Sequence, residues 1–173
     1  MSQPDQTATA YKTPSHGQPI ISIMGPVVQF LASPEQASDQ FVVLDSILAP
    51  GIIIPLHSHP EVECLYVLEG GLQVLAFQDG KPHWLDLTVG ESAVIPANAR
   101  HAIRNISGEN AHLLLITAAT MGKFFKEIGT PLAPGKQPAP PAPETIQAFF
   151  ATSMRYGYWL ASPAENAAVG IVL

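Results

Sequence analysis

The 173-residue sequence predicts an all-β barrel or sandwich followed by one helix. Two observations carry the prediction. Between Ile20 and about Ala119 the chain runs as short Val-, Ile- and Leu-rich stretches of four to nine residues, cut at close intervals by turn chemistry. After Pro143 the periodicity changes to that of an amphipathic helix. Short strands separated by regular turn signals are the mark of sandwiches and barrels.

The elements follow in order. Residues 1–19 are polar and read as a flexible arm. The strands of the barrel, residues 20–128, begin with "PVVQFL", "QFVVLDSIL" and "GIIIPLH" and end with "HAIRNI" and "AHLLLITAA". "SPEQASD", "LEGG", "TVGE" and "SGEN" supply turns between them. Asp79-Gly80 within "FQDGK" suits a two-residue type I′ hairpin turn. Residues 129–143 hold six of the 17 prolines and read as an extended polyproline connector. Residues 144–173 then form a helix and tail. Ile146, Phe149, Phe150 and Met154 recur near helical spacing from about Glu144 to Tyr156, and Gly157 suits the position after the helix.

Composition narrows the function classes. Hydrophobic residues make up 47% of the chain and charged residues 13%, too apolar a mix for disorder. The net charge of -6, without a basic cluster, argues against a nucleic-acid partner. No apolar run approaches the ~20 residues that cross a bilayer, so no membrane partner is expected. The start of the sequence lacks the basic and apolar regions of a signal peptide, and a single cysteine, Cys64, fits a reducing compartment. The cytoplasm is the expected location. Cys64 itself reads as a small core residue facing away from its neighbour Glu63.

Two stretches concentrate the chemistry. The first is Gly51-x5-His57-x-His59-x3-Glu63-x6-Gly70. Strand side chains alternate faces, so His57 and His59 point the same way, and a turn over Pro60–Val62 lets Glu63 return from the adjacent strand. The second is Gly90-x5-Pro96-x-Asn98-x2-His101-x3-Asn105, whose His101 can complete a set of three imidazoles and one carboxylate. Buried together, such groups call for a cation. Nitrogen and oxygen donors without sulfur suit one divalent transition metal: Fe, Mn, Ni or Co, with Zn or Cu also acceptable. The remaining histidines, His16, His83 and His112, read as structural or solvated.

These two stretches resemble the paired motifs of the cupin superfamily. The first matches at every specified position. The second departs once, with Asn98 where glycine is usual, and asparagine tolerates the positive φ such a turn needs. The resemblance implies a single-domain jelly-roll barrel. It also implies metal ligation by His57, His59, Glu63 and His101. The segment after the barrel, "MGKFFKEIGTPLAPG", is similar to that of quercetinase-like single-domain cupins. That likeness implies a dioxygenase that cleaves a flavonol-like or other aromatic or enolic substrate with O2, with Glu63 as catalytic base and Phe124 and Phe125 near the pocket mouth.

Strand alternation places Ile53, Leu65, Val67, Ile103 and Asn105 on the pocket wall and points Arg104 outward. That wall is apolar and suits an aromatic small molecule. The alternatives are a metal-dependent isomerase or lyase on a small keto acid or sugar derivative, and a non-catalytic binding cupin. The resemblance and the apolar helix together suggest a homodimer.

Overall fold

The computed structural model describes residues 9–14, 18–133 and 135–172. The expected arm before residue 9 and His16 lie outside the described residues. The strands are β1 (Ile20–Ser22), β2 (Val27–Ala32), β3 (Phe41–Leu48), β4 (Ile53–Ser58), β5 (Glu63–Glu69), β6 (Gly71–Gln78), β7 (Lys81–Thr88), β8 (Ser92–Ile95), β9 (His101–Arg104), β10 (Ala111–Ala118), β11 (Thr130–Leu132) and β12 (Trp159–Leu160). The helices are α1 (Ala119–Ile128), α2 (Pro143–Arg155) and α3 (Pro163–Ala168).

Two antiparallel sheets face each other. One runs β11-β1-β2-β3-β10-β5-β8 and the other β12-β4-β9-β6-β7. From β3 to β10 the chain crosses repeatedly between the sheets, with only β6 and β7 following one another in the same sheet. β3 and β5 lie in the first sheet and β4 in the second, which is how a jelly roll wraps one chain around one core. Alternation along β3 shows the physical rule at work: Val42, Leu44, Ser46 and Leu48 are buried, and the residues between them are not. The inward faces of both sheets meet in a core that includes Leu44, Leu65, Val67, Val74, Ile103 and Leu113.

Backbone chemistry fixes the turns. Asp79 and Gly80 have φ values of 51° and 74°, the paired positive values of a type I′ turn between β6 and β7. At Gly70, φ is +69°, and a Cβ would fall 2.3 Å from the Asn110 carbonyl oxygen. Only glycine fits between β5 and β6 there.

The C-terminal third departs most from expectation. Helix α2 lies within a residue of its expected bounds. "MGKFFKEI", expected at the end of the barrel, is the body of helix α1, packed under β3 and β10. The connector is not wholly polyproline, since Thr130–Leu132 pair antiparallel with Ile20–Ser22 at the sheet edge. The tail turns back on the barrel. Trp159 and Leu160 pair with Ser58 and His57, so β12 extends the sheet that carries the first metal-motif strand.

Helix α3 starts with a capping box in which Ser162 and Glu165 each accept from the other's backbone N–H. It presents the fully buried Asn166, whose Oδ1 accepts from Leu56 N at 2.9 Å and whose Nδ2 donates to the Ala161 and Ser162 carbonyls. One side chain thus closes three backbone groups at the join between tail and β4. No helix among the described residues is long and apolar enough to cross a membrane.

Candidate metal centre

Strand pairing assembles the site. β4 and β9 are antiparallel neighbours, and His57 stands directly opposite His101. The two rings lie 4.1 Å apart between centroids. His59 follows the end of β4, with its ring centroid 5.0 Å from that of His101. Its carbonyl accepts from the Asn98 N–H at 2.7 Å, which ties the first motif to the second. Asn98 has φ +62°, so asparagine takes the left-handed turn where glycine is usual.

Glu63 opens β5, and β5 is not the neighbour of β4. It lies in the opposite sheet, paired with β10 and β8. The carboxylate therefore reaches across the barrel to the imidazoles instead of lying beside them. Its Oε2 is 3.2 Å from His101 Nε2 and 3.5 Å from His59 Nε2.

Each imidazole is oriented from behind. His57 Nδ1 meets the Pro55 carbonyl at 2.7 Å, His59 Nδ1 the Glu61 carbonyl at 3.1 Å, and His101 Nδ1 the Ala99 carbonyl at 2.9 Å. A carbonyl only accepts, so each Nδ1 carries the hydrogen and each Nε2 keeps a free lone pair. These are the tautomers that ligate metals. The donor atoms of His57, His59 and His101 all lie within 4.8 Å of one another. His59 Nε2, His101 Nε2 and Glu63 Oε2 are buried without a hydrogen-bond partner among the described residues. Buried orphan atoms converging on one point fit a divalent cation.

The electrostatics agree. Burial, reinforced by His101, pushes the His57 imidazole down to about 3, so it stays neutral and available as a ligand. Burial pushes the Glu63 carboxyl up, but the close approach of the His101 and His59 rings outweighs it and holds the group well below the usual carboxylate range.

A cavity of about 650 Å3 ends at His57, His59 and Glu63. Of the expected wall residues, Ile53, Leu65, Ile103, Phe124 and Phe125 line it. Val67 and Asn105 do not. Val67 is fully buried in the core between the sheets. Asn105 is spent on the backbone: its Nδ2 donates to the Leu48 and Glu109 carbonyls and its Oδ1 accepts from Ser107. Val67 keeps the inward face that alternation gives it, but lies beyond the depth at which the cavity closes.

The tail and helix α2 supply lining that strand reading did not anticipate, including Phe149, Tyr158 and Leu160. Among the described residues, no Lys or Arg lines the cavity. Arg104 lies on the outer face, donating to Gln73 Oε1 at 2.7 Å and stacked 3.8 Å over the Trp84 ring.

Glu61 was read as part of a turn, yet it is buried behind His59. Its Oε1 accepts from Thr120 Oγ1 at 2.6 Å, and its Oε2 is 3.6 Å from His59 Nδ1. The Tyr158 hydroxyl stands beside it, and burial together with the Glu61 carboxylate raises that phenol well above its ordinary value. Cys64 is half-buried instead of core, and it lines an outer groove with Phe41, Pro60 and Val62. Outside the site, His83 is exposed on β7, and His112 bonds the Asp45 carboxylate on an outer sheet face.

A two-sheet jelly roll that brings three histidines and one carboxylate together at its interior is a candidate metal centre. Residues 45–117 match the Cupin_2 family model, described as the cupin domain. Among solved structures, the chain is similar to oxalate decarboxylase OxdC from Bacillus subtilis. Identity is 22%, coverage is 66% of this chain and 30% of that one, and the TM-score is 0.56. That likeness establishes the fold, and the chain spans under a third of the decarboxylase. It also shows similarity to the polyketide cyclase RemF from Streptomyces resistomycificus, at 19% identity over 69% of this chain and 80% of that one, with a TM-score of 0.49. No curated protein matches the chain.

Proposed function

We propose that the protein is a metal-dependent dioxygenase that cleaves a flavonol-like or other aromatic or enolic small molecule with O2. One observation carries this reading: a roughly drug-sized apolar cavity, with no cationic residue in its described lining, ends at the candidate metal-binding residues. A flat neutral ring and O2 suit such a space. A small keto acid or sugar phosphate wants polar or cationic walls, so the isomerase and lyase readings lack a binding surface here.

His57, His59 and His101, through Nε2, and Glu63, through Oε2, would hold one divalent ion. Fe, Mn, Ni and Co fit this donor set, and Zn or Cu are acceptable to it. When bound, such an ion supplies Lewis acidity that lowers the pKa of an enolic hydroxyl. The chain's own groups do the rest. Phe124, Phe125, Phe149 and Tyr158 offer aromatic faces to the substrate ring. The apolar walls exclude water. Glu63, the carboxylate in the described lining, is placed to receive the hydroxyl proton as the substrate becomes an anion.

The test is oxygen uptake by protein loaded in turn with Fe, Mn, Ni, Co or Cu, against flavonols, catechols and β-diketones. Uptake dependent on both metal and substrate is expected. Tight ligand binding without uptake for any combination assigns the protein to the non-catalytic binding class instead.

The protein is further proposed to work in the cytoplasm as a homodimer. Helix α2 turns Ile146, Phe149 and Phe150 to the cavity, yet Phe150 stays about half exposed and Met154 largely so, an apolar surface that association would cover. Light scattering should give a solution mass twice that of the chain, and a monomer mass at micromolar concentration rules the dimer out.

A further inference from the structure

Six buried side-chain polar atoms lack a hydrogen-bond partner among the described residues. Such atoms are rare in folded proteins, and each calls for a reason. Three of them, on His59, Glu63 and His101, belong to the metal centre. Two more, Glu61 Oε2 and the Tyr158 hydroxyl, lie in the pair behind His59. The sixth is Ser46 Oγ, and neither cluster accounts for it.

Ser46 occupies an unusual position. It is 3% exposed and takes its turn among Val42, Leu44 and Leu48 on the inward face of β3, where alternation otherwise places only aliphatic side chains. Its flanking partners in the sheet are Val28 and Leu113. Valine would fill this place without a stranded hydroxyl. Ser46 lines the same cavity as His57, His59 and Glu63, but far from them. It shares a row with Leu113 and Val67, whereas Glu63 shares a row with Thr117. Those rows are four residues apart on β5 and β10, about 13 Å at a strand's rise.

We infer that Ser46 is a specificity-determining residue that hydrogen-bonds a second polar group of the substrate, at the end remote from the metal centre. The inference rests on the dioxygenase reading for its substrate class and makes that class more specific. The ligand has a flat apolar body, an enolic or phenolic oxygen at the metal end, and a hydroxyl or carbonyl roughly 8 Å away, the ~13 Å row offset less about 2 Å for a bond to the ion and about 3 Å for the hydrogen bond to Ser46. A serine hydroxyl both donates and accepts, so it takes either group. A site built to hydrogen-bond a ligand group discriminates against the analogue lacking it, because its own polar atom is left unpaired.

The experiment compares 3-hydroxyflavone with its 7-hydroxy and 4′-hydroxy derivatives, read by fluorescence titration of the metal-loaded protein. Wild type should bind one derivative about tenfold more tightly than the parent, the size of one good hydrogen bond. Ser46→Ala should abolish that preference by weakening the derivative alone, and Ser46→Thr, which keeps the hydroxyl, should retain it. The ratio of two affinities within one variant does not depend on how much of the sample is folded.

An unchanged preference in Ser46→Ala overturns the inference, as does a wild type that prefers neither derivative. Oxygen uptake on the same samples separates the two claims. Preference without uptake leaves the Ser46 subsite standing and removes the dioxygenase reading. Uptake without preference does the opposite. If none of the flavonols binds wild type, both fall.

Discussion

Replacing both His57 and His101 by alanine should lower the metal content from about one ion per chain to near zero. The two residues face each other across β4 and β9 and provide two of the three imidazoles whose donor atoms converge within 4.8 Å. His59 and Glu63 alone cannot enclose an ion. Metal analysis of purified protein reads the loss directly, and melting curves give a second measure. Saturating metal stabilises a folded protein by about 4 kcal/mol when its concentration is a thousand times Kd. The wild type should therefore melt several degrees higher with metal than without, and the double variant should show no shift. Equal stoichiometry in the two proteins would place the ligands elsewhere.

The same histidine gives the metal-free protein a pH signature. His57 is pushed down to about 3 in the fold, from an ordinary value of 6.5. Below pH 6.5 the unfolded chain takes up a proton that the folded chain refuses. Stability of the metal-free wild type should therefore fall as pH drops from about 6.5 toward 3. Glu63, also lowered in the fold, adds loss of the same sign below its ordinary value near 4.5. The His57→Ala single variant should lose the part of the slope between pH 6.5 and 4.5.

Local rules made the barrel and the candidate metal-binding side chains legible in the sequence. Strand alternation put His57 with His59, the Asp79-Gly80 turn required its own dihedral angles, and Asn98 adopted the one conformation its motif position needs. Tertiary placement was not legible. Spacing brought Glu63 back from a turn, but only the division of consecutive strands between two sheets shows that it reaches across the barrel. Glu61 lies two residues from Glu63 and yet points behind His59, because Pro60–Val62 break the alternation that would have located it.

Tyr158, Asn166 and β12 carry no local signal of proximity to residues a hundred positions earlier. They reach the metal strand through a tail whose docking depends on Asn166 matching Leu56 N. Ser46 was hidden for the opposite reason. A serine within "QFVVLDSIL" looks like ordinary variation until the strand's face and the cavity are both known.

Replacing Glu63 by glutamine should lower metal-normalised turnover by about 10²–10⁴-fold, the usual contribution of a general base. The change keeps the size of the side chain and one carbonyl oxygen that can still face the ion. Three imidazoles held by backbone carbonyls remain in place, so metal occupancy should fall much less than turnover. What disappears is the anionic acceptor. Among the described residues, Glu63 Oε2 is buried and unpartnered at the end of a cavity whose lining includes no other carboxylate. Glu61 cannot replace it, because its carboxylate lies behind His59 and is engaged by Thr120.

The experiment measures oxygen uptake per bound metal for wild type and variant, across pH, with the best substrate from the screen. A rate that recovers as the substrate hydroxyl ionises in bulk solution would mark proton removal as the missing step, since a substrate that arrives as its anion needs no base. A variant within about threefold of wild type per bound metal assigns the base to another group or to solvent, and reduces Glu63 to a ligand.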